Sequence, residues 1–215
     1  MIDQVDAAVQ ALAQVDAIAR VAIDWIAPIR FAIAQTEADR RTAYRLRYQV
    51  VIEHGWMQPD DLPDGLERDE YDDEATHILA WDDDAVVATA RLIFPRDGLV
   101  LPTEKTFSLT IEPRGQVVDA GRFVVARSHS SIEHRLLASL LGCSWLEVRA
   151  RGYSRVCAAF ASAAMMRVYR YMGLKMTALG PAQHYWGADR CPILFDTVGA
   201  ATSLVERWQP EGKDS

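Results

Sequence analysis

The sequence predicts one α/β domain with a mixed sheet, preceded by an additional helix. Its 215 residues, half of them hydrophobic, are enough to bury one large core. Segments in which apolar residues recur with a helical period alternate with short runs that have the composition of strands. No internal repeat or low-complexity tract interrupts this order. We therefore expect helices to flank a central sheet.

Charge and cysteine content narrow the possible functions. The formal net charge of -7 argues against a nucleic-acid partner, which would require a basic face. Cys143, Cys157 and Cys191 form no C-x-x-C pair, so neither a disulfide framework nor a zinc site is expected, and a reducing, cytoplasmic location is predicted. No apolar run reaches the roughly 18 residues of a transmembrane segment. Asp3 and Asp6 stand where a signal peptide would be basic.

Residues 1–30 are predicted to form an N-terminal amphipathic helix outside a domain of residues 31–210. The helix is expected over residues 3–26, and Pro28 ends it. Its apolar stripe consists of Val5, Val9, Leu12, Val15, Ile18, Ala22 and Trp25. This stripe needs a partner, which a second copy of the chain could supply in a homodimer.

The remaining elements follow from caps, breakers and a change of period. Thr36 is expected to cap a helix that Gly55 ends, and the turn 82–84 is typical of a hairpin. Residues 56–74 are acidic, contain prolines and glycines, and predict an irregular loop. Helices are expected at 37–54, 132–149, 163–171 and about 198–208, and strands at 31–34, 77–81, 86–94, 117–126, 156–161, 175–179 and 193–195.

Asp119 and Arg122 lie three residues apart in a predicted strand, so a regular pleat would direct their side chains to opposite faces. Gly121 between them is typical of a bulge, whose extra residue would bring both charges to one face and splay the strand from its neighbour. A buried acid at such a kink could act as a general base for an attacking amine. The residues equally allow a solvated Asp119 that forms a salt bridge with Arg122.

The acidic loop after Trp56 contains Asp69-Glu-Tyr-Asp72, and one helical turn would place both aspartates on the same side. Together with Trp56 and Tyr71 these acids would suit a cation. A solvated acidic loop and a core position for Trp56 are the simpler alternatives. Arg91 lies in an apolar strand and needs a carboxylate partner, for which Asp69 and Asp72 are the candidates.

The segment Arg127-Ser-His-Ser-Ser131 joins a strand to the beginning of a helix, where backbone N–H groups favour an anion. It could hold the phosphate of a pantetheine arm, although serine at such a position is also an ordinary helix cap. The five histidines show no metal-ligand spacing, so no metal site is predicted.

Together these motifs resemble the acyl-homoserine lactone synthases, the autoinducer synthases of bacterial quorum sensing, which share the fold of the GNAT N-acyltransferases. The similarity extends from about Phe31 to Phe195. Its motifs are Leu46-Arg47-Tyr48, Gly55-Trp56, Asp69-Glu-Tyr-Asp72, Arg91-Leu92, Phe107, Asp119-Ala-Gly-Arg122-Phe123 and Ala159-Phe-Ala-Ser162-Ala-Ala-Met165. The resemblance implies a GNAT-like fold, with a mostly antiparallel twisted sheet split by a bulge and flanked by helices.

The chain departs from this family at four places. Val51 stands where the family usually has phenylalanine, Trp56 comes about one residue early, and Asp119 replaces the usual glutamate. The N-terminal helix has no counterpart in a typical short synthase. Related N-acyl amino acid synthases share the architecture but acylate a free amino acid, so both kinds of acceptor stay open.

The resemblance implies an N-acyltransferase that moves a fatty acyl group from acyl carrier protein or coenzyme A to an amine. The amine of S-adenosylmethionine would give an N-acyl-homoserine lactone, and both compounds would be substrates with no permanently bound cofactor. A catalytically silent binding module is a further alternative. The implied catalytic residues are Asp119, Arg122 and Phe123, and those for the acceptor are Arg47, Trp56, Asp69, Asp72 and Arg91. The thioester and pantetheine would be bound by Val124, Val125, Arg127, Ser128 and Ser130. The acyl pocket would be lined by Phe107, Ala159, Phe160, Ser162 and Met165.

Overall fold

A computed structural model of the chain has a mixed sheet of eight strands in the residues that it describes. These residues are 2–162, 166, 167, 170, 175–185 and 187–208, without the side chains of 2–4, 159–161, 207 and 208. The strands are β1 (Arg30–Ile33), β2 (Thr76–Asp82), β3 (Ala85–Ile93), β4 (Val117–Val125), β5 (Arg155–Ala161), β6 (Thr177–Ala178), β7 (Gln183–Tyr185) and β8 (Ala188–Asp196).

Five helices accompany the sheet in the described residues. They are α1 (Ile2–Asp24), α2 (Glu37–Glu53), α3 (Pro102–Phe107), α4 (Glu133–Ala150) and α5 (Thr197–Trp208). Shorter 3-10 turns occur at Pro59–Asp61, Asp72–Glu74 and Arg127–Ile132. Thr36 begins α2 with a capping box: its hydroxyl accepts the Asp39 N–H, and the Asp39 carboxylate accepts the Thr36 N–H. This confirms the predicted cap.

The sheet has the order β1-β2-β3-β4-β5-β8-β6, and β7 pairs with β8. Strands β4 and β5 are parallel, whereas the other neighbours are antiparallel. The β4–β5 ladder joins Val117–Asp119 to Arg155–Cys157, and both strands continue beyond it. They therefore diverge after Asp119 and Cys157 and leave a slot in the sheet. The predicted mixed, mostly antiparallel sheet that divides at its centre is confirmed.

The predicted bulge lies in β4, but its strained residue is Arg122. Strand β3 pairs Thr89 with Val124 and Arg91 with Gly121, so β4 contributes one more residue than β3 to this stretch. Arg122 has φ +56°, in the left-handed region that side chains other than glycine seldom adopt. The extra residue lets Arg122 share a face of the sheet with Arg91, since both bind Asp69.

Helix α4 covers one face of the sheet, where Leu136, Leu140 and Val148 pack into the main core. Helices α2 and α3 lie on the opposite face and position the charged residues described below. None of the helices in the described part of the chain is long and apolar enough to cross a membrane.

The N-terminal helix packs on α4 and α5 of its own chain, through Ala11, Val15 and Ala19. Gly142 of α4 permits this contact, because a Cβ there would lie 3.0 Å from the carbonyl oxygen of Ala19. Asp16 accepts hydrogen bonds from Trp145 and Arg149 of α4. The predicted stripe is correct at Val15, but Val5, Val9, Ile18 and Trp25 are 59–67% exposed. Where the domain begins stays a prediction.

The last third of the chain differs most from the sequence prediction. Strand β8 begins at Ala188, five residues before the predicted strand, and forms a hairpin with the unpredicted β7. The first half of this strand is difficult to predict because it contains Asp189, Arg190 and Pro192, and acids and proline are depleted in strands. Only Thr177–Ala178 of the strand expected at 175–179 is formed. Most of the helix predicted at 163–171 lies outside the described residues.

Candidate active site

A buried network of three arginines and three carboxylates fixes the acidic loop against the sheet. Arg47 of α2 donates from two guanidinium nitrogens to the two carboxylate oxygens of Asp72, each at 2.8 Å. It also donates to the carboxylate and the backbone carbonyl of Glu67. Arg47 and Asp72 are 1% and 0% exposed, so a bidentate ion pair replaces the water that both charges lose.

Arg91 enters the same network from β3. Its Nη1 lies 2.7 Å from Asp69 Oδ1 and 3.0 Å from Asp72 Oδ1, which confirms the predicted pairing with both acids. Asp72 also accepts the backbone N–H of Asp69 at 2.7 Å. Burial acts to raise the pKa of Asp72, but hydrogen bonds from Arg47 and the charges of Arg47 and Arg91 outweigh it and hold the pKa well below its usual value.

His77 on β2 lies beneath this network. Its Nε2 donates to the backbone carbonyl of Asp72 at 3.0 Å, and its ring meets Tyr44 edge-on. Burial lowers the pKa of His77, so the ring is neutral at neutral pH. A neutral ring suits a network in which three arginines already balance three carboxylates.

Arg122 and Asp69 form the more accessible edge of the network. Arg122 Nη2 lies 3.1 Å from Asp69 Oδ2, and its Nε donates to Glu67 Oε1 at 3.0 Å. The two side chains are 14% and 23% exposed. The alternative in which Asp119 is the salt-bridge partner of Arg122 is wrong, because the bulge directs Arg122 towards Glu67 and Asp69.

Asp119 occupies the point at which β4 and β5 diverge. It is the last residue of the parallel ladder, opposite Cys157, and it is 4% exposed. The backbone N–H of Thr103, in the first turn of α3, donates to its Oδ2 at 2.7 Å. Burial raises the pKa of Asp119, although Thr103 and the charge of Arg91 oppose this shift. The solvated form of Asp119 that the sequence left open is therefore wrong, and its raised pKa suits proton exchange.

The residues predicted to bind the thioester continue along β4. Gly121 and Val124 are paired with residues of β3, and the two residues between them, Arg122 and Phe123, form the bulge. Val124 packs on Leu46 and Val50 beneath α2, and Val125 packs on the main core. Both residues lie in the part of β4 that follows the end of the ladder with β5.

Arg127, Ser128 and Ser130 are exposed in the 3-10 segment that follows β4. Neither serine caps α4, because the N-cap residue is Ile132 and makes no side-chain capping bond. The alternative explanation of these serines as caps of α4 is therefore wrong. His129 Nε2 lies 2.9 Å from Oδ2 of Asp82, the last residue of β2.

Trp56 and Phe107 meet the hairpin formed by β7 and β8. The Trp56 ring stacks on His54 and lies 5.8 Å below the Arg190 guanidinium, and its edge contacts Gly187 so closely that a Cβ there would be 2.6 Å away. Phe107, buried at the end of α3, meets the Tyr185 ring edge-on. Sequence reasoning missed this wall of the site because β7 was not recognised; the aromatic pair Tyr185-Trp186 before Gly187 was the available signal.

The predicted acyl pocket stays a prediction. Ala159 and Phe160 lie on β5, but their side chains are not described, and Met165 lies outside the described residues. Ser162 is half-buried at the end of β5. A cavity of about 870 Å³ lies at the opposite, paired end of β5, with Arg155, Leu194 and Ser203 in its wall. The slot, and not this cavity, adjoins Asp119.

Within the described ranges, histidine, cysteine, aspartate and glutamate form no group of three that could hold a metal ion.

Comparison with known proteins assigns the chain to a family. The family model described as N-acyl amino acid synthase FeeM matches residues 42–195, which is most of the chain. The chain belongs to the FeeM family. A search of curated proteins finds no match. The matched range includes the ion network, Asp119 and the segment after β4.

Solved structures agree with FeeM-family membership. FeeM itself, from uncultured soil microbes, superposes with a TM-score of 0.63 at 15% identity, covering 83% of this chain and 96% of its own. The acyl-homoserine lactone synthase LasI gives 0.60 at 15% identity, covering 84% and 94%. BjaI, a CoA-dependent acyl-homoserine lactone synthase solved with SAM and isopentyl-CoA, gives 0.56 at 22% identity, covering 80% and 82%. The resemblance to GNAT-like synthases is confirmed at the level of the fold.

Proposed function

We propose that this acyltransferase moves a fatty acyl group from a thioester to the amine of a small acceptor, with Asp119 as general base. The observation that carries the proposal is the buried Asp119 at the apex of the slot between β4 and β5. A thioester arm that entered this slot would bring its carbonyl close to that carboxylate. The donor is acyl carrier protein or acyl-CoA, because both present the same pantetheine arm.

In this mechanism the acceptor nitrogen attacks the thioester carbonyl while Asp119 takes a proton from the amine, directly or through water. The backbone N–H at the Phe123 bulge stabilises the oxyanion. The C–S bond then breaks, and the thiolate of the pantetheine arm leaves. Val124 and Val125 flank the arm, and Arg127, Ser128 and Ser130 bind its phosphate.

The acceptor meets the accessible edge of the ion network, where Asp69 and Arg122 offer a carboxylate and a guanidinium side by side. Trp56 forms a neighbouring aromatic wall. Arg47, Asp72 and Arg91 are too deeply buried to touch a ligand, so they act by positioning Asp69 and Arg122.

A free amino acid is our first candidate for the acceptor, because the FeeM model matches most of the chain. An amino acid pairs its carboxylate with Arg122, and its neutral amino group donates a hydrogen bond to Asp69. S-adenosylmethionine is the second candidate, because the motifs at Asp69 and Arg122 resemble those of the lactone synthases. Its methionine part carries the same two groups, and its sulfonium adds a charge that Asp69 attracts. No permanently bound cofactor is required for either reaction.

Purified protein should be incubated with an acyl-ACP or acyl-CoA and with either S-adenosylmethionine or a mixture of amino acids. Mass spectrometry of the products then identifies the acceptor. An N-acyl amino acid without methylthioadenosine supports the first candidate, whereas an N-acyl-homoserine lactone with one equivalent of methylthioadenosine supports the second. Absence of any acylated product from either mixture would favour the silent binding module.

A homodimer through α1 and a cytoplasmic location complete the proposal. Val5, Val9 and Val21 are 59–66% exposed and lie on one i, i+4 ridge of α1, a pattern that packs helices together. Sedimentation of wild-type protein and of Val21→Glu tests the dimer, which should dissociate in the variant. The three free cysteines support the cytoplasmic location, because free thiols are typical of a reducing compartment.

A further inference from the structure

Glu104 is a buried carboxylate that the proposed mechanism does not use. It lies in α3, is 4% exposed, and accepts hydrogen bonds from two backbone N–H groups. Its Oε2 lies 2.8 Å from the backbone nitrogen of Leu101, the residue just before α3. Its Oε1 lies 2.8 Å from the backbone nitrogen of Ile111, four residues after the end of the helix. A single side chain thus closes residues 101–111 into a loop.

This loop contains the N–H group that meets Asp119. Thr103 is the second residue of α3, so its N–H has no partner within the helix. Thr103 is fully buried, and its N–H donates to Oδ2 of Asp119 at 2.7 Å. The two residues that bind Glu104 pack in the same apolar cluster as Cys157, the neighbour of Asp119 on β5. The hydrogen bonds of Glu104 therefore lie close to the apex of the slot.

The contacts of α3 differ between its two ends. A helix of six residues is too short to be stable by itself, so its contacts set its orientation. At its end, Phe107 meets the Tyr185 ring edge-on. Lys105 pairs with Glu70 of the acidic loop, but both side chains are 60–64% exposed, and exposed ion pairs contribute little. At its beginning, the carboxylate of Glu104 holds the backbone.

We propose that Glu104 is a positioning residue for the general base, because its bonds to both ends of residues 101–111 keep the Thr103 N–H on Oδ2 of Asp119. The inference rests on the proposed function, in which Asp119 takes the amine proton. The bond from Thr103 orients the carboxylate and leaves its Oδ1 to receive that proton. Glu104 itself touches neither substrate.

Two effects of Glu104 on Asp119 have opposite signs, so an experiment can separate them. The hydrogen bond from Thr103 lowers the pKa of Asp119, and its loss would raise that pKa further. The negative charge of Glu104 acts in the other direction, because a neighbouring anion raises the pKa of a carboxyl group and its removal lowers it. Other titratable groups that interact with Asp119 stay unchanged in the test below: Arg91 of β3, Cys157 of β5 and Tyr71 of the acidic loop.

NMR titration of carbon-labelled aspartate carboxyl groups in the full chain measures the pKa of Asp119, whose signal is the one missing from Asp119→Asn. Glu104→Gln removes the charge, and its amide NH2 group faces one of the two backbone N–H groups, so one end of the loop is released. Glu104→Asp keeps the charge but is one methylene too short to reach both N–H groups.

In both Glu104 variants Asp119 should titrate about 0.5–1 pH unit higher than in wild type, because the Thr103 N–H is no longer held on its carboxylate. Glu112→Gln is the matched control. Glu112 is 69% exposed and accepts the N–H of Arg114, outside residues 101–111, so Asp119 should titrate there as in wild type.

Unchanged titration of Asp119 in both Glu104 variants would overturn the positioning role. A lower value in Glu104→Gln with an unchanged value in Glu104→Asp would also overturn it, because Glu104 would then act through its charge alone. Hydrogen exchange of wild-type protein needs no variant: the amide protons of Leu101, Thr103 and Ile111 should be protected, and rapid exchange at Thr103 would exclude the bond. Wild-type turnover by Asp119→Asn would overturn the base, and with it the proposed function, but not the titration result.

Discussion

Two aspartates of the site are equally hidden from water but differ in their electrostatics. Asp72 lies between Arg47 and Arg91, whose charges hold its pKa low despite its burial. Asp119 receives one backbone hydrogen bond from Thr103, and burial raises its pKa. The neighbouring arginines, and not the degree of burial, therefore decide which buried acid stays ionised. Asp72 is therefore suited to hold the loop, and Asp119 to exchange a proton.

Asp72→Asn should have the largest effect, a loss of about 3–5 kcal/mol in the free energy of unfolding, because the buried Arg47 and Arg91 lose the carboxylate that they share, and Glu67 and Asp69 alone then face three arginines. Urea unfolding at pH 7 measures it. The folded-state pKa of Asp72 is below its unfolded value, so its contribution is present above an unfolded pKa of about 3.9 and is lost as pH falls further.

Asp73→Asn is the matched control for this change. The next residue in the chain is exposed, so its substitution should alter the unfolding free energy by less than about 0.5 kcal/mol. If Asp72→Asn were as stable as Asp73→Asn, the ion network would not hold the loop.

Asp119→Asn should lower the acyl-transfer rate by about 100-fold or more, since an amide cannot accept the amine proton. The fold should be unaffected or slightly stabilised at neutral pH. Burial raises the folded-state pKa of Asp119 above its unfolded value, so the ionised group opposes folding and the neutral amide does not. Turnover numbers and urea unfolding of the same preparations separate the two effects.

The dependence of turnover on pH gives a further test of Asp119 as the base. Wild-type turnover should rise with pH as Asp119 loses its proton, and the residual turnover of Asp119→Asn should not show this rise. Asp73→Asn should keep the wild-type profile. Wild-type turnover in folded Asp119→Asn would exclude Asp119 as the base. Asp72 and Asp119 would then differ in their electrostatics but not in a catalytic role.

The sequence predicted those features of the fold and the site that depend on neighbouring residues or on the chemistry of a single side chain. A charge in an apolar strand must be paired, which correctly connected Arg91 to Asp69 and Asp72. Thr36 and the turn at 82–84 marked the ends of α2 and of the β2–β3 hairpin because caps and turns need particular residue types.

Other features depend on contacts between distant segments. The sequence could not show which aspartate lacks a neighbouring arginine, because the fold brings Arg47 and Arg91 to Asp72. It placed the bulge near Gly121 but not its strain at Arg122, which follows from the register of β3 against β4. The partner of α1 was also beyond reach, since α4 and α5 are more than 100 residues away.

The smallest expected effect concerns the backbone between the two aspartates. Arg122→Gly and Arg122→Ala both remove the guanidinium that binds Glu67 and Asp69, but only glycine adopts φ +56° without a steric cost. The left-handed conformation costs other residues roughly 1–2 kcal/mol, and glycine loses roughly 0.5–1 kcal/mol in backbone entropy. The glycine variant should therefore be more stable than the alanine variant by about 0.5–1 kcal/mol in urea unfolding. At Arg127, in a 3-10 turn, alanine should instead be the more stable of the two. Equal stability of the two Arg122 variants would mean that the bulge relaxes when the arginine side chain is removed. Arg122, and not the register of β4 against β3, would then keep the acidic loop apart from the slot.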